Sequence, residues 1–194
     1  MAKVGPITQD VSVTIRFQDG VCTKMIRSYA LHACPLGELL LVAHELALTE
    51  VHLRHGKHVP PLNEAWTKAD DHPILHLAKA ELDAYFARRL HVFTVPIEPF
   101  GGTPFQQGAW STLLQIPFGE TRTYAQQAAL MGKPSATRAV GAANGRNPIC
   151  IIIPCHRVIG SNGSLTGYAG GVEAKRTLLA LEAAAGPNLS QVVI

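Results

Sequence analysis

The 194 residues suffice for one sizeable domain or two small ones, and a composition of 47% hydrophobic and 16% charged residues is that of an ordinary globular chain. No apolar run is long enough to span a bilayer, and Met1 to Asp10 lacks the basic-then-apolar pattern of a secretory signal, so a cytoplasmic location with no membrane partner is expected. The net charge of +3 divides unevenly: residues 1–100 hold 10 Lys+Arg against 11 Asp+Glu, whereas residues 101–194 hold 7 against 3. Thr121 to Val172 carries Arg122, Lys133, Arg138, Arg146 and Arg157 without one carboxylate, which points to a polyanionic partner.

In chain order, Val11 to Phe17 alternates apolar and polar and predicts a strand. Asp19-Gly20 signals a turn, and Val21 to Ala30 reads as the return strand. Pro35-Leu36-Gly37 turns the chain into the apolar run Glu38 to Ala43, and Leu46 to Leu53 is a further strand candidate. Residues 54–64 read as loop. His72 to Leu90 reads as a helix, with Leu75, Leu77, Ala78, Leu82, Tyr85 and Phe86 at roughly helical spacing. Eight of the nine histidines fall in this half. His52, His55 and His58 recur every third residue, and His72 and His76 lie four apart. No cysteine or carboxylate stands at ligand spacing beside them, so they read as surface residues and no metal is expected.

Three prolines and two glycines within Thr94 to Pro104 mark a boundary. The predicted organisation is an α/β unit over 1–95, a linker over 96–104, a second domain over 105–188 and a loose tail over 189–194. The second domain opens with a helix over Phe105 to Leu114. A short helix capped by Thr123 follows, then a break at Gly132-Lys133-Pro134, then a helix over Ala136 to Ala143 capped by Ser135. Helix, glycine-containing turn and helix form the pattern of a helix-turn-helix. The second helix is built from Ala136, Ala139, Gly141, Ala142 and Ala143, with Arg138 as its one long polar side chain. Such a slim helix suits either a narrow groove with little base readout or tight internal packing.

The turn cluster Asn144 to Pro148 leads into Ile149 to Ile153, which reads as a buried strand ended by Pro154. Cys155, His156 and Arg157 follow at once, an arrangement that aims a thiol into a cleft with groups beside it able to favour the thiolate. Thr166 to Gly171 is a Gly-rich loop with one aromatic, Tyr168, and matches no nucleotide phosphate loop. Glu173 to Ala185 is the last predicted helix, with Glu182 among apolar neighbours as either a surface residue or a buried partner for a histidine. The cysteines at 22, 34, 150 and 155 form no CxxC pair, and reduced thiols are expected.

The segment Pro154-Cys155-His156-Arg157-Val158 resembles the active-site motif of the O6-alkylguanine-DNA alkyltransferases, also called methylated-DNA–protein-cysteine methyltransferases. Gly119 to Tyr124 resembles the family's entry into its helix-turn-helix, and Thr137 to Gly141 its recognition helix. Asn147-Pro148, Gly167 to Gly171, Lys175 and Glu182 follow the family's order. The first half matches weakly, chiefly at Pro35 to Leu41. The resemblance implies an α+β protein with an N-terminal ribonuclease H-like mixed α/β domain and a mostly helical C-terminal domain bearing a winged helix-turn-helix-like motif.

It also implies a reaction. A monomer binds double-stranded DNA through the minor groove, extrudes O6-alkylguanine, and takes the alkyl group irreversibly onto Cys155. His156, through a water and oriented by Glu182, draws off the thiol proton, and Tyr124 assists the leaving purine. Asn147, Val158, Tyr168, Ala169 and Lys175 are implied to form the base pocket. Arg138, Thr123, Gln126, Ser135, Ala136, Ala139 and Arg157 are implied to contact DNA, with Arg138 filling the vacated place in the stack. O4-alkylthymine is a further possible substrate. No cofactor is implied, the zinc positions of some relatives are unmatched, and no transcription-activation module is expected. Cys150 lies outside the pattern and reads as buried and inert. Two other classes compete: a non-catalytic DNA-binding module, which the cysteine at 155 speaks against, and a cysteine hydrolase using Cys155, His156 and Glu182, which would turn over.

Overall fold

The computed structural model describes residues 14–18 and 21–184, with side chains from Ile26 onward. Strands β1 (Thr14–Gln18) and β2 (Val21–Met25) form an antiparallel ribbon. Asp19-Gly20, the first residues of the expected opening strand, the helix stop at Gly186-Pro187 and the tail lie outside the described residues.

The expected return strand over Val21 to Ala30 is broken at Ile26-Arg27, and a new strand begins. β3 (Ser28–Cys34), β4 (Gly37–Ala43) and β5 (Leu48–Leu53) make an antiparallel meander, with β6 (Thr67–Lys68) parallel to β3 on the far edge. Arg27 accounts for the break. Its buried guanidinium donates to Glu50 Oε1 at 3.0 Å and lies 3.4 Å from the centre of the Phe100 ring. Gly37 closes the β3–β4 turn at φ +111°, a conformation glycine adopts without strain.

Helix α1 (Pro73–Phe86) lays Leu75, Ala78, Leu82 and Tyr85 on the sheet, all fully buried with Ala30, Leu39, Leu41 and Ala43 in one core. The helix stops four residues before the expected Leu90, as Arg88 turns into the left-handed region at φ +58°. The stretch read as a linker is not a free tether. Leu48 N donates to Pro96 O, and Glu98 N and Phe100 N donate to Leu48 O and Thr49 O. The prolines lack an N–H, but the donors in use belong to Glu98 and Phe100, on either side of Pro99.

The second half is helical. α2 (Pro104–Leu113), α3 (Tyr124–Leu130) and α4 (Thr137–Asn144) pack on one another, and α5 (Val172–Ala183) closes the chain. Thr123 caps α3 in a capping box with Gln126, the two giving bonds of 3.1 and 2.7 Å. Ser135 does not cap α4. It sits inside a 3-10 turn, Pro134–Ala136, and the cap position is Ala136 with no side-chain bond. The α3–α4 geometry is instead pinned from inside. Gln127 and Asn144, both buried, exchange amide hydrogen bonds at 3.2 and 2.7 Å, and Trp110 Nε1 donates to Ala143 O at 2.9 Å. The short parallel pair β7 (Arg122–Thr123) and β8 (Val158–Ile159) ties the start of α3 to the segment after Cys155. Among the described residues no helix is long and apolar enough to cross a membrane.

Candidate active site

The isoleucine run is buried as expected but is not a strand. Only Ile149 pairs, with Val51 of β5; the chain then turns, with Ile152 N donating to Cys150 O and Ile153 N to Ile149 O. Ile151 takes φ +71°, which a β-branched residue rarely adopts. Such strain costs about 1–3 kcal/mol, whereas each buried isoleucine contributes about 1.5–3 kcal/mol, so burying four of them outweighs one strained backbone. Asn147 staples the turn. Its Oδ1 accepts from Ile149 N at 3.0 Å, and its Nδ2 donates to Ile153 O at 2.8 Å and toward Cys155 Sγ at 3.2 Å.

A second 3-10 turn, Cys155–Arg157, then presents three consecutive side chains, all buried. His156 and Arg157 converge on Glu182 of α5. His156 Nε2 lies 2.8 Å from Oε1; Arg157 donates to both oxygens, from Nε at 2.9 Å and from Nη2 at 3.0 Å. Arg157 Nη1 also donates to Ile116 O at 2.6 Å. Two further donors reach the same carboxylate: Tyr85 OH at 2.7 Å and Gly119 N at 3.1 Å. Sequence reasoning missed both, because a tyrosine on a helical core stripe and a backbone amide in a turn carry no chemical signature. Glu182 is thus the buried histidine partner, one of the two readings left open.

These contacts fix protonation states. Burial disfavours the Glu182 anion, but the bond from His156 and the Arg157 pair overcome it and hold the carboxyl at about 2, below its ordinary 4.5. Burial lowers the His156 pKa, against the pull of Glu182 and with Arg157 and Lys175 adding to the fall. The neutral ring donates Nε2–H to Glu182, so Nδ1 carries the free lone pair. No described group bonds that buried Nδ1. Burial raises the Cys155 thiol, opposed by the Asn147 bond and by Lys175. Cys150 rises to about 12, burial again leading, which agrees with an inert thiol.

The expected pocket residues gather round the sulfur, mostly in supporting roles. Lys175 is fully buried; its Nζ donates to Val158 O at 2.5 Å and Thr166 O at 2.7 Å, and approaches Tyr124 OH at 3.5 Å. Burial brings its pKa down to about 8. Tyr124 OH donates to Thr166 O at 2.8 Å. Tyr168 is buried edge-on to His156, ring centres 6.4 Å apart; its hydroxyl lies beside Cys150 but in no hydrogen-bond geometry. Ala169 O accepts from Lys57 N. The Val158 backbone, expected to read a base edge, is already bonded through its carbonyl to Lys175 and through its N–H to Cys155 O.

Two expectations need correction. Arg157 is no DNA contact: it is 6% exposed and committed to Glu182 and Ile116. Nor does Cys155 stand in an open cleft. Its residue is 4% exposed, with Tyr124, Tyr168 and Lys175 close enough to interact with its charge. A cavity of about 1000 Å3 lies behind the network instead, lined by His91, Phe93, Phe118, Arg157 and Glu182 among others, and does not reach Cys155. Arg138, Ser135 and Ala139 are exposed, and Ala136 is half-buried, at the head of α4. Gln126 is exposed and Thr123 half-buried, but their side chains serve the cap of α3. Among the described residues no cluster of His, Cys, Asp and Glu could hold a metal.

A mixed sheet domain, a helix-turn-helix and a buried cysteine–histidine–carboxylate set together define a DNA-acting cysteine protein. Comparison with known proteins agrees. Residues 104–184 match the family model of the 6-O-methylguanine DNA methyltransferase DNA-binding domain, and residues 28–99 that of its ribonuclease-like domain. A methylated-DNA–protein-cysteine methyltransferase of Methanosarcina acetivorans is 47% identical over 79% of this chain and 97% of its own length. One from Mycobacterium bovis is 47% identical over 79% and 90%. The crystal structure of Mycobacterium tuberculosis OGT in complex with DNA superposes with a TM-score of 0.75 at 44% identity, covering 83% of this chain and 96% of that one. The chain belongs to the methylated-DNA–protein-cysteine methyltransferase family.

The low Glu182 pKa makes an acid-stability prediction. A depressed carboxyl contributes stability that is present above its unfolded pKa and lost as pH falls toward the folded one. Chemical-denaturation midpoints of the wild type should therefore drop as pH falls from 4.5 toward 2. Glu182→Gln should be less stable at pH 7 and lose a smaller part of its stability across that window. An equal acid loss in both proteins contradicts the assignment.

Proposed function

We propose that this protein repairs O6-alkylguanine in double-stranded DNA by moving the alkyl group onto Cys155 Sγ, once per molecule. The observation that carries the reading is a buried neutral imidazole, bonded through Nε2 to Glu182, on the residue next to a buried thiol. A raised thiol pKa keeps the sulfur protonated at rest, so the thiolate has to be made when substrate arrives. His156 Nδ1 accepts the thiol proton through one water, and the Glu182 carboxylate offsets the imidazolium charge. The S–C bond forms as the C–O6 bond breaks. The leaving guanine takes a proton from Tyr124 OH, which is restored by Lys175 Nζ 3.5 Å away; the thiol proton held on His156 replaces the one Lys175 gives up, so that one proton leaves the sulfur and one reaches the guanine. The thioether product offers no group the site can cleave, so the protein is consumed and needs no cofactor.

Two features of the reading concern access. The base swings out of the duplex into the space bounded by Tyr124, Tyr168, Ala169 and the Val158 backbone. Since Cys155 is nearly covered, the Gly-rich loop moves off Tyr124 first, breaking the Tyr124–Thr166 bond. The glycines of that loop, at 167, 170 and 171, supply the backbone freedom. On the DNA side the slim head of α4 enters the minor groove, and exposed Arg138 occupies the place of the extruded base. Ser135, Ala136 and Ala139 make close backbone contacts beside it, with Thr123 and Gln126 at the head of α3. The protein acts as a cytoplasmic monomer.

Incubation with duplex DNA carrying O6-methylguanine should add the mass of one methyl group, located on Cys155 by peptide mapping and absent from Cys155→Ala. Unchanged protein mass with an intact lesion would favour a lesion-binding module; turnover on an ester or amide would favour a hydrolase. A second outcome isolates extrusion. Arg138→Ala should react with free O6-benzylguanine at the wild-type rate yet repair duplex DNA at least about tenfold more slowly, the loss of roughly 1.4 kcal/mol of stacking support. Equal loss on both substrates removes that role.

A further inference from the structure

Strand β5 runs past the active-site turn toward the Gly-rich loop. Val51 N donates to Pro148 O, and Cys150 N donates back to Val51 O. At the end of the strand Leu53 packs so tightly on the loop that a Cβ on Gly170 would fall 2.4 Å from Leu53 Cδ1. The chain then turns through Arg54, His55, Gly56, Lys57 and His58. Lys57 N donates to Ala169 O at 2.8 Å, and a Cβ on Gly56 would lie 3.1 Å from that same oxygen and 2.9 Å from Leu53 O. His58 holds φ +62°, uncommon for a residue with a side chain. This first-half turn is therefore seated on the rim of the base pocket. Across the loop, Gly145 at the end of α4 comes within 3.8 Å of Gly167 O by the same measure, and Arg146 follows it. The end of α4 with Arg146, the Gly-rich loop and the turn 54–58 are therefore neighbours.

Seven of the fourteen cations with described side chains pair with carboxylates: Arg27 with Glu50, Arg54 with Glu38, Lys68 and Lys79 with Asp70, Arg122 with Glu120, Arg157 with Glu182 and Arg176 with Glu173. This rim carries two that do not. Lys57 and Arg146 are exposed, and among the described residues neither pairs with a carboxylate. Their position beside the pocket puts them where the backbone of a bound duplex continues past an extruded nucleotide.

We infer that the turn Arg54 to His58 is a second DNA contact, in which Lys57, with Arg146 across the loop, binds backbone phosphates flanking the lesion. The inference rests on the duplex-binding reading above. It gives the ribonuclease-like domain a part in holding DNA, and the Lys57–Ala169 bond links that contact to the loop that must open.

The test is equilibrium binding of the full chain to an unmodified fluorescent duplex across a salt series, with reaction of free O6-benzylguanine as control. Loss of one phosphate contact lowers the slope of log K against log[salt] by about 0.9 and weakens binding about eightfold at 0.1 M salt. Lys57→Ala should show both changes, Lys57→Arg should keep the wild-type slope, and both should react with the free base at the wild-type rate. Lys57→Ala with wild-type slope and affinity overturns the inference and leaves the repair reading standing. A wild-type protein without salt-dependent duplex binding overturns both.

Discussion

One buried carboxylate organises this protein. Glu182 is 1% exposed, and its two oxygens are shared among Tyr85, Gly119, His156 and Arg157. These partners come from α1, the turn before β7, and the 3-10 turn that carries the cysteine. An isolated charge in such a place costs several kcal/mol, so the donors are needed together. The carboxylate orients the imidazole and balances the guanidinium that would otherwise be stranded beside it. It also joins the sheet domain to the second half through the Tyr85 hydroxyl, so stability and chemistry share one set of bonds.

The sulfur is held by different means. Asn147 and the isoleucine turn fix where Cys155 sits, and Lys175 knits Val158, Thr166 and Tyr124 into a wall beside it. The wall is shut at rest. A thiol kept protonated by burial and screened from solvent is protected from adventitious reaction, and the same burial strengthens every electrostatic contact once a substrate is inside. The opening proposed above would run along the Gly-rich loop, at the junction between the two halves of the chain.

Much of this was legible in the sequence. Helical spacing placed the α1 helix, Thr123 announced the cap of α3, and the Pro-Cys-His-Arg-Val motif marked the turn that brings His156 and Arg157 to Glu182. The misreadings share a cause. Ile149 to Ile153 has the composition of a strand, but its hydrogen bonds close locally because Asn147 and β5 supply the partners, and only tertiary context reveals them. The resemblance implied Arg157 as a DNA contact, and nothing near it in sequence announced its partner Glu182, 25 residues away. Tyr85 and Gly119 were invisible for the same reason, being 97 and 63 residues from Glu182. The linker reading rested on prolines, which gave no sign that the Glu98 and Phe100 amides beside Pro99 bond to β5.

The central claim is that burial keeps His156 neutral while the Glu182 carboxylate holds its proton on Nε2, leaving Nδ1 free to receive the thiol proton. Nitrogen-15 NMR of the imidazole in histidine-labelled protein at pH 7 reads this state directly, with His156 assigned by its loss in His156→Gln. The account predicts a neutral ring with a protonated Nε2 and an unprotonated Nδ1. An imidazolium signal, or a proton residing on Nδ1, would contradict it.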